Sequence, residues 1–543
     1  MRTSPDETIT PRFWPDMAAL LALALVVRAA TALPLRVPGY MDAYYYYVGA
    51  ERIVAGYGLT EPYIWNYWLE PLRLPAPAFQ YWLPLTSFIM VPFLALLGPS
   101  FRAAQVPFVL LSALLPLIAY RVSFILAPAR RRAILAGLLT IFTPFYMKYW
   151  VSTDNFTPFA LCAGLALLTM RRAVERQDLR WYAAAGALVG LGHLARADAP
   201  LLLAVLALAG LWPAGAAESL RRRWKPSLAG LALAVAAYGL VLLPWLMHNI
   251  SAMGAPFNPV GAHTIFLRDY DDLYSYGRPI DLASYLAWGW PAILRSKLDA
   301  AGANLITVTV VFLLLFMAPL AAWEMWARRR ETLTRLVGWY LLLLYLTMTL
   351  IFTFPGPRGS LLHSGGALLP FLLAYAAGGL ERAIAWAARR RATWDVTRAC
   401  RVFGAGSLLI AVIASAFVYA RAVWAGGDSQ QAWNTHDDGY RIVDAWLDAQ
   451  GAPADAPIMV VNPPAFYYFA RRPAIAIPNE PPETIAAVCA RFGAGYLLLE
   501  ANRPRPLDAL FAGAAPPAGR PTLELVKAWH APEPEVKLYR CLP

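Results

Sequence analysis

Apolar runs recur along the chain up to residue 424, and many approach the roughly 20 residues that cross a hydrocarbon core of ~30 Å. We predict eleven crossings, at 17–33, 104–126, 133–147, 157–170, 181–195, 200–214, 227–247, 305–326, 336–354, 363–385 and 404–424. A twelfth run, 83–97, is short and contains two prolines, so we predict that it is re-entrant or interfacial. The predicted fold class is an α-helical polytopic membrane protein with about 11 (11–13) transmembrane helices.

Composition agrees with this pattern, since 59% of the 543 residues are hydrophobic and 15% are charged, against about 25% charged in soluble domains. The net charge of +13 does not indicate a nucleic-acid partner, because the basic residues cluster beside apolar runs. These clusters are Arg130–Arg132, Arg171–Arg172, Arg221–Arg223, Arg328–Arg330 and Arg389–Arg391. If 83–97 does not cross, all five face the cytoplasm, as the positive-inside rule requires. Residues 1–16 are then cytoplasmic and the C-terminus lies outside.

Residues 428–543 contain more proline and charge and fewer apolar runs than the membrane domain, 17–427. They predict a small extracytoplasmic α/β domain, with strand, helix and strand over 456–479, helix and strand over 481–500, and a final strand pair. Cys489 and Cys541 could pair in an oxidising compartment. A cap over the outer loops is the favoured role of this domain, with catalysis as the alternative.

The first outer loop, 34–82, is long and rich in aromatic residues and proline, whereas loops between spans are usually short and polar. Asp42 lies directly after the first span. A carboxylate there can accept a proton from a hydroxyl or amine that attacks an electrophile. The alternative is an interfacial acid that caps the following helix.

The predicted topology brings further polar residues to the same outer face. Asp154, in the turn STDN, could orient an acceptor or help hold a divalent cation (Mg or Mn), or could belong to a helix N-cap. Arg196, Arg358, His363 and Lys148 are candidate ligands for a lipid phosphate, with structural roles as the alternative.

Aromatic and acidic residues of the first loop are candidates for binding the rest of a substrate. They are Tyr45, Glu61, Trp65, Trp68 and Glu70, which could contact sugar rings and hydroxyls or simply lie at the membrane interface. A second long outer loop, 249–303, contains an amphipathic aromatic helix over 281–298. We predict that this helix lies along the membrane surface.

The span after the N-terminus, the acid at the start of a large first loop, and the motifs DAYYYYVGAERIVAGYG, LPAPAFQYWLPL and STDN resemble the GT-C superfamily of polytopic glycosyltransferases. That superfamily includes protein O-mannosyltransferases, aminoarabinose transferases and oligosaccharyltransferase subunits. The resemblance implies that Asp42 is the catalytic base or acceptor-positioning acid, and that Asp154 is the second-loop acid. A lone Asp42 replaces the paired acids of several members, and the oligosaccharyltransferase signature WWDYG is absent. Transfer of one sugar is therefore favoured over transfer of a whole oligosaccharide.

The resemblance implies a multi-pass membrane enzyme, and the Ala- and Arg-rich composition indicates a bacterial inner membrane. The enzyme would move a sugar from a polyprenyl-phosphate donor, among membrane lipids, to a glycan, lipid or protein acceptor. Two alternatives belong to other classes: a transporter or flippase, and a non-catalytic membrane scaffold. Paired halves of the inverted-repeat kind are not evident in the sequence, which argues against the transporter.

Overall fold

The computed structural model describes residues 12–68, 72–211, 217–258, 260–391, 393–424, 433–435, 437–516, 522–530 and 535–542. Helices α1–α9 are Phe13–Ala32, Met41–Val54, Leu85–Leu97, Phe101–Ser112, Leu115–Leu126, Arg130–Ile141, Phe156–Arg176, Leu179–His193 and Leu201–Leu211. Helices α10–α18 are Ala217–Met253, Val260–His263, Leu282–Ala287, Trp290–Ile306, Ala318–Ala327, Thr332–Leu346, Leu361–Gly365, Leu369–Ala388 and Val396–Val423. The chain is therefore mostly helical up to residue 423.

Within the described residues, six helical stretches are long and apolar enough to cross a membrane. They are Phe13–Ala32, Phe101–Leu126, Ser227–Met253, Thr332–Ile351, Gly356–Ala388 and Val396–Val423, and shorter apolar helices cover Leu85–Leu97 and Leu201–Gly210. A multispan membrane protein is confirmed, whereas the count of eleven crossings and the cytoplasmic N-terminus stay predictions.

Among the predicted spans whose bounds differ, 133–147 is the one that shapes the site. The run 133–147 was expected to be a single span, but α6 ends at Ile141 and a non-helical segment follows. Pro144 cannot continue a helix, and the indole of Trp150 donates a 2.9 Å hydrogen bond to the hydroxyl of Thr143. Apolar composition did not reveal this break, which lets residues 142–155 form the segment that carries Asp154.

Small residues allow two pairs of helices to approach closely. A Cβ atom added to Gly186 of α8 would lie 2.0 Å from the carbonyl oxygen of Ala234 in α10. One added to Gly379 of α17 would lie 2.0 Å from the carbonyl oxygen of Leu320 in α14. Close backbone packing at glycine is a common way for membrane helices to associate.

The C-terminal part confirms the predicted alternation of strands and helices. Its helices α19–α22 are Asp438–Ala449, Pro463–Ala470, Pro482–Phe492 and Asp508–Phe511, and its strands β4–β8 are Ile458–Val460, Ala474–Ala476, Tyr496–Leu499, Thr522–Trp529 and Val536–Leu542. The sheet is mixed, because β4 pairs in parallel with β5 and β6, whereas β8 is antiparallel to β6 and β7. A disulfide joins Cys489 of α21 to Cys541 of β8.

The first loop contributes the remaining strands, which are β1 (Thr60–Glu61), β2 (Tyr63–Ile64) and β3 (Ala76–Pro77). β1 pairs with β3, but β2 adds in parallel to β5, so the six-stranded sheet has the order β2-β5-β4-β6-β8-β7. A sheet shared with the first loop was not predicted, because a two-residue strand has no detectable period. The first loop thus supplies one edge strand of the C-terminal sheet and holds the sheet against the loop.

The predicted surface helix over 281–298 is divided into α12 and α13 at Gly289, whose φ of 90° is unfavourable for other residues. Beyond the break, Trp290, Leu294 and Leu298 are exposed at four-residue spacing. These residues form an apolar stripe on α13 that is suited to contact with lipid.

Candidate functional site

The acid of the first loop lies at the start of α2. Gly39 has a φ of 87° and packs so closely on Trp433 that a Cβ atom would lie 2.3 Å from that indole ring. This turn directs the chain into α2, whose first turn contains Asp42. A carboxylate is favourable there, because the first turn presents unpaired backbone N–H groups. The side chain of Asp42 is 24% exposed and lines a cavity.

The second acid, Asp154, lies in the segment after α6 and is fully buried. The hydroxyl of Tyr40 donates a 2.7 Å hydrogen bond to Oδ2 of Asp154, and the backbone N–H of Asn155 donates to Oδ1 at 2.5 Å. Thr153 donates to the carbonyl of Ala43 at 2.9 Å and so attaches this segment to α2. Asn155 is the N-cap residue of α7, but its side chain makes no capping hydrogen bond. The alternative role of STDN, a side-chain cap on this helix, is therefore not formed by the N-cap residue.

His363 of α16 lies between the two carboxylates. Its Nε2 atom is 3.2 Å from Oδ2 of Asp154 and 3.9 Å from Oδ2 of Asp42. Its Nδ1 atom is 2.6 Å from the carbonyl oxygen of Gly359, which can only accept, so Nδ1 carries a hydrogen. The ring stacks on Phe156 at 3.9 Å between centroids. Its Nε2 atom is thereby directed at the acids.

The environments of the two acids differ. Burial and the charge of Asp154 raise the pKa of Asp42 to about 7, against the opposing influence of His363 and Arg196. Burial also acts on Asp154, but His363, Tyr40 and the backbone of Asn155 together hold its pKa below the usual value. One carboxylate thus stays ionised while the other titrates near neutrality, which is the range useful to a general base.

Asp42, Asp154 and His363 also form a possible cation site, since each offers one ligand atom and these atoms lie within 4.8 Å of one another. Two carboxylates and an imidazole nitrogen fit a divalent ion such as Mn²⁺ better than Mg²⁺, which prefers oxygen. A bound cation would supply positive charge beside a reacting phosphate.

Arg196 lies across the same cavity, in the turn between α8 and α9. Its Nε atom donates to Oγ of Ser364 at 2.6 Å and to Oδ1 of Asp198 at 3.2 Å, and Ser364 donates to the other oxygen of Asp198. These contacts use Nε and hold the guanidinium in place while Arg196 lines the cavity. Arg196 and Asp198 thus pair with each other, as the sequence allowed, and also reach the site.

The cavity has a volume of about 340 Å³ and a mixed lining. Asp42, Arg196, Arg358 and His363 form its polar part, and the guanidinium of Arg358 lies 4.9 Å from the ring of Tyr270. Its apolar wall includes Leu242, Trp245 and Leu246 of α10 and Phe352. Five of the predicted site residues therefore meet: four line the cavity and Asp154 lies directly behind His363.

Other predicted site residues lie elsewhere. Lys148 packs against the rings of Tyr149 and Trp433, at 4.9 and 5.5 Å, and burial lowers its pKa to about 8. Tyr45, Glu61 and Trp65 are almost fully buried outside the cavity lining.

The local contacts of the first-loop residues are mainly aromatic. Trp65 stacks on Trp82 at 4.2 Å, and Trp68 lies 5.5 Å from the ring of His263. Glu70 lies outside the described residues. Their roles in binding a substrate stay predictions.

Two residues of the site were not predicted from the sequence: Tyr40, which donates to Asp154, and Ser364, which accepts from Arg196. Tyr40 precedes the acid by two residues, and no sequence signal separates it from the four tyrosines that follow. Ser364 directly follows His363, and only the fold shows that it faces Arg196.

Residues 77–247 match the family model of dolichyl-phosphate-mannose-protein mannosyltransferase. The whole fold is similar to ArnT from Cupriavidus metallidurans bound to undecaprenyl phosphate, with 14% identity, a TM-score of 0.55 and 98% of each chain covered. The family match covers residues 77–247, and the similarity to ArnT shows the fold.

A second solved structure has a similar fold. It is the archaeal oligosaccharyltransferase AglB from Archaeoglobus fulgidus in complex with an inhibitory peptide and a dolichol-phosphate. The identity is 14% and the TM-score 0.55, over 89% of this chain and 69% of AglB. No curated protein sequence matches. The predicted GT-C resemblance is thus confirmed by a family match and by fold.

Proposed function

We propose that this protein transfers one sugar, a hexose or pentose, from a polyprenyl-phosphate donor to an acceptor. The observation that carries the proposal is that one cavity is lined by the carboxylate of Asp42 and by the guanidinium groups of Arg196 and Arg358. A displacement at an anomeric carbon needs a base for the acceptor and positive charge for the departing phosphate. ArnT bound to undecaprenyl phosphate supports the class of donor.

In the proposed reaction, Asp42 accepts the proton of the acceptor hydroxyl or amine as that atom forms a bond to the anomeric carbon. The bond between this carbon and the phosphate oxygen breaks, and its electron pair leaves with the lipid phosphate. Arg196 and Arg358 stabilise the additional negative charge, since guanidinium matches phosphate geometry. A single displacement inverts the anomeric configuration.

Asp154 is proposed as a positioning acid. Because it is buried behind His363 and bonded to Tyr40, it cannot readily reach a substrate itself. Its charge fixes His363 and raises the proton affinity of Asp42. The apolar wall of Leu242, Trp245 and Phe352 suits the lipid part of the donor.

The acceptor is proposed to be a glycan, lipid or protein on the side of the membrane that carries the C-terminal sheet. That side is proposed to be extracytoplasmic, at a bacterial inner membrane, with the N-terminus in the cytoplasm. The disulfide between Cys489 and Cys541 supports this orientation, because disulfides persist in oxidising compartments.

The test uses the full chain in lipid discs with labelled polyprenyl-phosphate monosaccharides and a membrane extract as acceptor source. We expect one donor to be consumed, Asp42→Asn to abolish consumption, and the exposed control Asp299→Asn to retain it. Failure of every donor would refute the transferase, and turnover by Asp42→Asn would refute the choice of base. In sealed vesicles that contain the same protein, transport of intact donor across the membrane without cleavage would instead support the transporter.

A further inference from the structure

A second cavity, of about 370 Å³, lies where the membrane helices meet the C-terminal part. Four arginines line it: Arg36 after α1, Arg102 of α4, Arg441 of α19, and Arg471 after α20. Four aromatic residues also line it, namely Tyr47, Phe101, Tyr468 and Phe469. Segments that are distant in sequence therefore join in a pocket that is cationic and aromatic.

Acids in the described segments balance only part of this positive charge. Arg471 is paired with Glu51, with Nη2 at 3.0 Å from Oε1. Arg102 donates to the carbonyl oxygens of Ala32 and Leu33 and to the side chain of Gln105, and it has no carboxylate partner among the described residues.

Arg36 and Arg441 form no ion pair within the part of the chain that the structure describes. The guanidinium of Arg441 instead lies 4.6 Å from the ring of Phe469. A group of guanidinium side chains with one paired carboxylate attracts an anion, and phosphate is the anion that this geometry matches best.

The surroundings indicate that the anion belongs to a lipid. The pocket adjoins the end of α1, where Leu33 is exposed. It also adjoins the end of α3, where the last two helical residues, Leu96 and Leu97, are 83% and 61% exposed. Pro99 and Ser100, two and three residues after Leu97, line the pocket itself. Exposed leucines at the ends of apolar helices suit contact with acyl chains, which would bring hydrocarbon next to the charged pocket.

We propose that this pocket binds the phosphate headgroup of an anionic membrane lipid, whose acyl chains lie along Leu33, Leu96 and Leu97. The bound lipid ties the C-terminal sheet to the membrane, because Arg36 and Arg102 belong to the membrane helices and their connections, whereas Arg441 and Arg471 belong to the C-terminal part. The site is separate from the cavity of Asp42, so it does not depend on the proposed transferase reaction. Asp42 and Tyr47 nevertheless share α2, which extends from one cavity to the other.

The test measures binding of short-chain phosphatidylglycerol and short-chain phosphatidylcholine to the full chain in detergent. We expect phosphatidylglycerol to bind more tightly and Arg36→Gln/Arg441→Gln to weaken it roughly 25-fold, since each basic residue near an anionic surface contributes about a factor of five. Arg36→Lys/Arg441→Lys should retain most of the affinity, and the exposed Arg540→Gln should retain all of it. Size-exclusion elution and melting temperature check that each variant is folded.

Equal affinity for the two lipids would overturn the proposal, as would a double glutamine variant that binds phosphatidylglycerol normally. Inorganic phosphate is the third probe. If phosphate alone displaces phosphatidylglycerol at comparable concentration, the site is a free-anion site and the acyl contacts with Leu33, Leu96 and Leu97 are refuted.

Discussion

Nε2 of His363 lies 3.2 Å from Oδ2 of Asp154, although 209 residues separate them in sequence. The contact joins the segment after α6 to α16, and Tyr40 adds the first loop through its bond to the same oxygen. Three parts of the membrane domain thus fix one buried carboxylate. The acid beside it, Asp42, is the one that faces the cavity.

We expect His363→Ala to reduce kcat about 100-fold, because Asp154 then loses its partner and the two acids repel each other without compensation. The pH at which activity is half maximal should rise, since His363 normally lowers the pKa of Asp42. His363→Gln, which can still donate to Asp154, should lose less activity. Steady-state rates across pH measure both effects, and a loss of activity with no shift in pH would point to a purely structural role.

The pH dependence of kcat/KM should rise through about 7, as Asp42 becomes ionised and able to accept a proton. Asp154→Asn removes a negative charge beside Asp42, so the pKa of Asp42 falls and the rising limb moves to lower pH. The measurement is made with chelator present, so that a bound cation does not alter the titration. A limb that stays in place in Asp154→Asn would contradict the coupling of the two acids.

Arg196→Gln should raise the KM for the donor about 10- to 100-fold, because a hydrogen bond to a charged group contributes roughly 1.5–3 kcal/mol. The substitution also leaves Asp198 without its cation. Arg196→Gln/Asp198→Asn therefore serves as the control, and its KM should stay high while its melting temperature recovers. If the double variant has the KM of the native protein, Arg196 does not bind the phosphate.

Gly186→Ala should destabilise the bundle by about 1–3 kcal/mol, since its Cβ would overlap the backbone of Ala234. Gly239→Ala is the matched control: no atom lies within 4 Å of its added Cβ, and alanine favours a helix by up to about 1 kcal/mol. Thermal unfolding in detergent should therefore separate the two variants in opposite directions. Equal melting temperatures would argue against close contact of α8 and α10.

Cys489→Ser/Cys541→Ser should lower the stability of the C-terminal part by about 4 kcal/mol, which is the chain-entropy value for a separation of 52 residues. The expected result is faster proteolysis of this part at a temperature where the native chain resists. Reduction of the native protein with dithiothreitol should reproduce the effect. The double serine variant should be insensitive to the reductant.

From the sequence, a single argument placed Asp42, Asp154, Arg196, Arg358 and His363 on one membrane face, namely the positions of the arginine clusters. That argument specifies a membrane face but not a contact. It therefore could not distinguish Lys148, which lies on aromatic rings, from Arg196, which reaches the cavity. Nor could it assign His363 to the acids rather than to a phosphate.

The aromatic residues of the first loop show a different limit. Tyr45 and Trp65 were candidates for sugar binding because aromatic rings are common both in such sites and at membrane interfaces. In the fold both are buried against other aromatic rings of the first loop, and Phe79 donates its backbone N–H to the hydroxyl of Tyr45. A sugar site, a membrane interface and a buried aromatic core are all rich in Tyr and Trp, so composition does not separate them. The pairing of β2 with β5, which the sequence did not reveal, favours the buried core.

The addition of β2 to β5 also has a consequence for biosynthesis. Tyr63 leaves the ribosome about 400 residues before Ala474, its partner, which at about 5–20 residues per second corresponds to a delay on the order of 20 to 80 s. During this interval the first loop has no sheet to join. The C-terminal part therefore completes the fold of the first loop. A chain truncated before β5 would keep that loop unpaired, so that chaperones or proteases can recognise it.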